Sequence, residues 1–456
     1  MPAPMNPVLL SELPYHANTA DLFETVADEP WAMFFDSAQR RWDGRYDIVC
    51  ARPYATLSAW GDRIELVTQE GTRFLQGDAL QVLQTLLGEP AASGDLPFTG
   101  GAVGYFSYDL GRRLEGLPAP VSEIPDMAVG LYDWALVVDH EARRSWLAGQ
   151  GRSAATHEQW DTLLEQFSLP FVGGRRLRYS ARAEPVIEPD GADYARAFTR
   201  IRRYIVEGDC YQVNLARRFT VATSGDPWEG YRRLRRDNAA PFGAYLHLPG
   251  MQVLSASPER FLQVRDGRVE TRPIKGTRPR AADAWEDCQL AEALHTSPKD
   301  RAENLMIVDL LRNDLGKACA IGSVAVPALF EVESFATVHH LVSTVTGRLA
   351  PGRSALDLLR ACLPGGSITG APKRRAMEII EELEPGRRGV YCGAIGYVGF
   401  DGAMDTSIAI RTLVQRGGEA QLWAGGGIVA DSRCEDELAE TLHKAAGLLQ
   451  LLTPGT

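Results

Sequence analysis

Lys275 lies between Ile274 and Gly276 in the segment Thr271-Arg-Pro-Ile-Lys-Gly-Thr-Arg-Pro-Arg280. A lysine there is either a solvated loop charge or an amine kept unprotonated by its surroundings, and therefore nucleophilic. Glu437 and Glu440 are three residues apart, which puts both carboxylates on one helix face with Cβ atoms roughly 5–6 Å apart. Such a pair is either an exposed acidic face or a seat for a divalent cation, and magnesium suits carboxylate oxygens completed by water and a substrate carboxylate. The run Ala424-Gly-Gly-Gly-Ile-Val-Ala-Asp431 just upstream lets a ligand approach the backbone closely, which favours the second reading. Glu303 precedes Leu305-Met-Ile-Val308 and Leu310-Leu311 on a helix that reads as apolar nearly all round and hence buried. A buried carboxylate needs a partner, and both an arginine (Arg301 or Arg312) and a metal qualify. Gly365-Gly-Ser-Ile-Thr-Gly-Ala-Pro-Lys373 reads as a Gly-rich turn entering a helix, whose free amides favour either an anion or a purely structural turn. The residue order is not that of a Walker A loop, and neither a Ser-His-Asp elbow nor a dinucleotide fingerprint of useful quality is present.

The elements that must position these groups are legible in outline. Ser297-Pro-Lys-Asp300 has the grammar of a helix start, and Ser432-Arg-Cys-Glu435 matches a capping box. Tyr194, Phe198, Ile201 and Ile205 recur at helical spacing over 192–207, with Gly208 as the cap. From Tyr211 to Phe219 the chain alternates like a strand, with Gln212 and Asn214 on its polar face. Strands are also expected at 251–256, 262–272, 391–400 and 404–414, with helices between them. Before a soft boundary near residue 185, short runs such as Trp31–Phe35 and Ala135–Val138 predict a sheet-rich portion (1–185), followed by a mixed portion (186–456). The fold class expected is α+β, with two stacked, antiparallel-rich sheets and helices outside.

Composition limits the function classes. The 456 residues carry a net charge of −11 with 45% apolar and 23% charged residues, which argues against a nucleic-acid footprint and for an ordinary soluble protein. Apolar runs are too short to span a bilayer, and the first residues lack a secretory pattern, so no membrane partner is expected and the cytoplasm is the expected location. Seven cysteines without a C-x-x-C pair fit reduced thiols. Cys392 reads as a core strand residue.

Read together, these blocks resemble the chorismate-utilising enzymes over nearly the whole chain. The resemblance is strongest in Gly208–Arg217, Ser255–Phe261, Lys275, Ala302–Asp309, Ser367–Lys373 and residues 425–441. Within that family, Pro273-Ile-Lys-Gly-Thr277 is similar to the aminodeoxychorismate synthase component I branch, which aminates chorismate at C4 on the route to p-aminobenzoate and folate. Anthranilate synthases usually have Ala in place of this lysine. The resemblance implies that Lys275 is the covalent nucleophile and Glu259 the general acid. It implies that Glu303, Glu437 and Glu440 surround Mg2+, and that Gln212, Thr277, His340, Thr369, Tyr397, Arg411, Gly426, Gly427 and Lys444 form the chorismate pocket. Isochorismate and salicylate synthases have a water-activating lysine at position 212, so Gln212 argues against water as nucleophile. Ser37, in Phe34-Phe-Asp-Ser37, falls in a candidate tryptophan pocket. Ammonia would come from a separate glutamine amidotransferase subunit. Anthranilate synthase component I and a non-catalytic regulatory paralogue are the alternatives.

Overall fold

Alternation of apolar side chains builds the molecule from long antiparallel strands. The computed structural model describes residues 9–38, 44–91, 94–118, 122–171, 173–335 and 338–453. Two large sheets result, one of thirteen strands and one of twelve. Met33, Val137, Leu246 and Val253 of the first sheet meet Val103, Tyr105, Ala128 and Ile395 of the second in a shared core. The outer face of each sheet is covered by helices, among them Pro227–Asp237, Lys373–Leu383 and Cys434–Leu452 on the first and Ala79–Leu87 and Pro298–Gly316 on the second. This is the stacked α+β arrangement expected.

Both sheets run through the expected boundary near residue 185. Ala32–Asp36 pairs with Phe242–Leu248, bringing Phe34 opposite Tyr245, and Gly101–Phe106 pairs with Ala394–Gly399, bringing Val103 opposite Tyr397. No described helix is long and apolar enough to cross a membrane.

Several local expectations need correction. The strand expected at 262–272 is a hairpin, Arg260–Arg265 and Arg268–Thr271, because Asp266 and Gly267 turn with positive φ. The one expected at 404–414 divides into Met404–Ile408 and Thr412–Arg416, and Arg411 between them has φ 49°. Helix Pro298–Gly316 buries Ile307, Val308, Leu311 and Leu315 but leaves Leu305 49% exposed, so it is amphipathic rather than wholly buried. Cys392 is buried with φ 64°, in the turn just before its strand. Helix Gly191–Glu207 follows expectation, with Gly208 in the left-handed conformation closing it.

Candidate active site

A local irregularity in the ladder aims Lys275. Ile274–Pro279 pairs with Val338–Arg348, but the register shifts between Ile274 and Thr277, and Gly276 has φ 83°. Such a bulge redirects a side chain out of the regular pleat. Any other residue at 276 would be strained, and a Cβ there would come within 2.9 Å of Asp300. Lys275 Nζ donates to the carbonyl of Ser367 at 2.9 Å. Burial pulls its pKa below the usual lysine value, and Lys444 adds to the effect, although Glu259, Glu303 and Glu440 oppose it.

Glu259 lies in the turn between Met251–Ser257 and Arg260–Arg265, 7% exposed, with its carbonyl accepting from the Ile408 amide at 3.0 Å. Burial pushes its carboxyl above the ordinary range, while Lys275, the Ser367 hydroxyl and the Ile274 amide pull it down. A carboxyl whose pKa is raised beside an amine whose pKa is lowered is shifted in the direction that acid-assisted nucleophilic attack requires. Ser367 serves both groups, accepting from Lys275 through its carbonyl and donating to Glu259 through its hydroxyl.

The acidic side is assembled by two helices and a strand. Ser297 caps helix Pro298–Gly316 by accepting from the Asp300 amide, and one turn further on Glu303 faces Lys299 at 3.9 Å. The arginines expected as partners are engaged elsewhere: Arg301 lies over the Phe330 ring and Arg312 pairs with Asp309. Glu437 and Glu440 share a face of helix Cys434–Leu452, as their spacing predicts. A methyl group built on Gly426 would sit 2.7 Å from Glu437 Oε2 and 3.7 Å from Glu440 Oε1, so only glycine leaves that space open. The Ser432 capping box does not form. The helix begins at Cys434, and the Ser432 hydroxyl instead donates to Glu437 Oε1 at 2.6 Å.

Burial raises the pKa of both Glu303 and Glu437, and Glu440 raises both further. Burial also acts to raise Glu440, but Lys444, together with Lys275 and Lys299, outweighs it and the net shift is downward. Lys444 Nζ is 2.6 Å from Glu440 Oε1 and donates to the Gly425 carbonyl at 2.9 Å. Mutually repelling carboxylates around an unfilled glycine face fit a divalent cation. Among the described residues, no three His, Cys, Asp or Glu groups converge closely enough to hold a metal by themselves. The set is an open seat, to be completed by water or substrate oxygens.

A cleft of about 450 Å³ opens beside these groups, lined in part by Pro258, His340, Arg411 and Lys444. Thr277 stands opposite His340 in register, and its hydroxyl lies 2.8 Å from His340 Nδ1. Burial and the neighbouring Arg411 lower the His340 pKa to about 4, so the imidazole is neutral at pH 7. Because unfolded His340 titrates near 6.5, the unfolded chain binds the extra proton between pH 6.5 and 4, and folding stability falls as pH drops through that window. His340→Asn removes this dependence. From pH 7.5 to 5 the wild type should lose about 2 kcal/mol more stability than the variant, measured by chemical denaturation; equal losses would contradict it.

The remaining expected residues fall on both sides of this site. Thr369 is fully buried and accepts the Asn214 amide through its carbonyl at 2.8 Å, and Gln212 is fully buried with its side chain against Gly427. Lys373 turns away from the Gly-rich turn to pair with buried Asp314 at 2.6 Å. Tyr397 does not join Lys275. Alternation along Ala394–Gly399 turns Ile395 and Tyr397 toward the other sheet, where Tyr397 lies 4.9 Å from Phe98. It lines an inter-sheet cavity of about 400 Å³ together with Ser37, Phe35 and Phe242. Sequence reasoning missed the individual roles of Ser367 and Ser432, since a serine in a glycine-rich or polar turn carries no distinguishing signal.

Residues 31–450 match the family described as chorismate binding enzyme, and the chain belongs to that family. Within it, the chain is 48% identical over 461 residues to aminodeoxychorismate synthase component 1 of Klebsiella aerogenes, covering 98% of this chain and 99% of that one. It is 47% identical to the Escherichia coli protein of the same name, covering 94% and 95% of the two chains. Among solved structures, anthranilate synthase component I from Streptococcus pneumoniae superposes with a TM-score of 0.78 at 33% identity, covering 90% of this chain and 93% of that one.

Proposed function

We propose that this chain aminates chorismate at C4 with ammonia, giving 4-amino-4-deoxychorismate, as component I of an aminodeoxychorismate synthase. The observation that carries the reading is the Lys275–Ser367–Glu259 arrangement, with the amine pKa pulled down and the carboxyl pKa pushed up. The full-length relatives with that name support it.

In the proposed course, the neutral Lys275 amine attacks C2 while Glu259 gives its proton to the departing C4 hydroxyl, which leaves as water. The ring is then joined to a positively charged secondary amine. Ammonia attacks C4, the double bond shifts back, and the C2–N bond breaks to return neutral Lys275. The new ammonium passes a proton to Glu259, so the cycle closes with chorismate and ammonia consumed and water released. Splitting the displacement in this way replaces one hard step by two easier ones.

Glu303, Glu437 and Glu440 would hold Mg2+, which when bound supplies charge neutralisation and orientation of the ring carboxylate. Arg411, Lys444 and neutral His340 line the cleft, where the two cations attract a dianionic substrate.

Ammonia must be delivered. Cys392, the cysteine in a tight turn, is buried with its thiol pushed up to about 12, the wrong direction for a thiolate nucleophile. This supports a separate glutamine amidotransferase subunit. All seven cysteines are free, which fits a reducing compartment such as the cytoplasm. The cavity at Ser37 has aromatic walls and buried Asp36 and Arg260, which suit an aromatic amino acid such as tryptophan.

The test is the mass of the product formed from chorismate, Mg2+ and excess ammonium salt. A product that keeps the enolpyruvyl group and exchanges a hydroxyl for an amine is expected. Anthranilate with free pyruvate would instead assign the chain to the anthranilate synthases.

A further inference from the structure

We propose that the buried ion pair Arg388–Glu384 is the positioning element that locks the Ser367 turn to the Gln212 strand, and so sets where Lys275 and Glu259 meet the substrate. This deepens the function proposed above and rests on it. The two residues follow helix Lys373–Leu383, and their side chains are 1% and 2% exposed. Two parallel bonds join them, Nη2 to Oε1 at 2.7 Å and Nε to Oε2 at 2.9 Å.

The donors left over reach two separate segments. Nη1 donates to the Ile368 carbonyl at 2.9 Å and Nη2 to the Asn214 carbonyl at 3.0 Å. Glu384 Oε1 accepts the Ala216 amide at 2.9 Å. One ion pair thus holds three backbone groups. Ile368 directly follows Ser367, the residue that touches both Lys275 and Glu259, and Asn214 is two residues from Gln212 and opposite Gly427 in register. The guanidinium is fixed in turn by Tyr108 and Tyr391, whose ring centroids lie 4.8 and 5.6 Å away.

Burying a charge pair is a weak way to stabilise a fold, because desolvation offsets the attraction. What the planar guanidinium supplies is direction, with five donors in a fixed fork. Arg388 touches no reacting atom, so its effect passes through the Ile368 and Asn214 carbonyls.

The test compares Arg388→Lys, Glu384→Gln and the double variant R388M/E384M, which leaves no unpaired charge, each in the full chain with ammonium as nitrogen source. Lysine cannot span the two carbonyls and the carboxylate at once. Displacement of reacting groups by about 1 Å costs up to roughly 10²-fold in rate. The expected result is therefore a fall in kcat of about 10- to 100-fold, with KM for chorismate changed by less than about threefold. At least one limb of the pH profile should also move, since Ser367 hydrogen-bonds Lys275 through its carbonyl and Glu259 through its hydroxyl. Unchanged kcat and pH profile in any folded variant, with only the melting temperature lowered, would make the pair a fold support and overturn the proposal. Loss of fold in all three variants would do the same. The wild-type product mass is read separately, so an error in the assigned reaction is not confused with an error about Arg388.

Discussion

Lys275→Ala is expected to lower amination of chorismate by roughly 10³-fold or more, the loss typical when a covalent nucleophile is removed. The chain should fold normally, because Lys275 sits at a bulge and gives up one hydrogen bond, to the Ser367 carbonyl. Removing the amine also removes the positive neighbour that lowers the Glu259 pKa, so the Glu259 carboxyl should become harder to ionise. Chorismate binding should persist in the variant, since the cleft residues Arg411 and Lys444 are untouched. Intact-protein mass spectrometry separates the roles. With chorismate and Mg2+ but no ammonia, the wild type should gain the mass of chorismate less one water, located at Lys275, and the variant should gain nothing. Turnover undiminished in Lys275→Ala would sink the covalent scheme outright.

The sign of the pH dependence follows from the same two groups. Attack needs Lys275 without its extra proton and Glu259 with its own, so activity should be bell-shaped in pH. Acid removes the nucleophile and alkali removes the acid. Glu259→Gln keeps the shape but has no proton to give. It should retain chorismate binding while losing adduct formation, whereas equal adduct yield would move the acid role elsewhere.

How far the sequence alone reaches is clear from particular residues. Glu437 and Glu440 were legible because helical spacing is a rigid constraint, and the structure places both at Gly426. Helix 191–207 was legible from apolar periodicity and its closing glycine. The bulge at Lys275 was not, because register shifts arise from how two distant strands pair rather than from local composition. Tyr397 shows the same limit: alternation tells which residues share a face, but which face meets the cleft depends on how the sheets stack. Arg388 gave no signal for a related reason, since its partners Ile368 and Asn214 are backbone carbonyls 20 and 174 residues away.

Glu440→Gln should raise the Mg2+ concentration needed for half-maximal activity by about tenfold or more, because a neutral amide is a far poorer ligand for a hard cation than a carboxylate. The effect is sharpened by Lys444, which already lies 2.6 Å from Glu440 Oε1. In the wild type a cation must compete with this ammonium for the carboxylate, so binding should shift Lys444 toward the Gly425 carbonyl or toward substrate. Glu437 is more buried and is held by the Ser432 hydroxyl, so Glu437→Gln should cost at least as much. Ser432→Ala, which leaves both carboxylates but frees one of them to rotate, should cost about 10-fold, at the low end for a residue that orients a metal ligand. Calorimetric titration of Mg2+ into the chain with chorismate present gives the affinity without relying on turnover. A titration unchanged in both glutamine variants would return this helix face to an acidic surface and move the cation elsewhere. The graded order, with the Ser432 variant weakest, is the pattern that a shared cation at Gly426 demands.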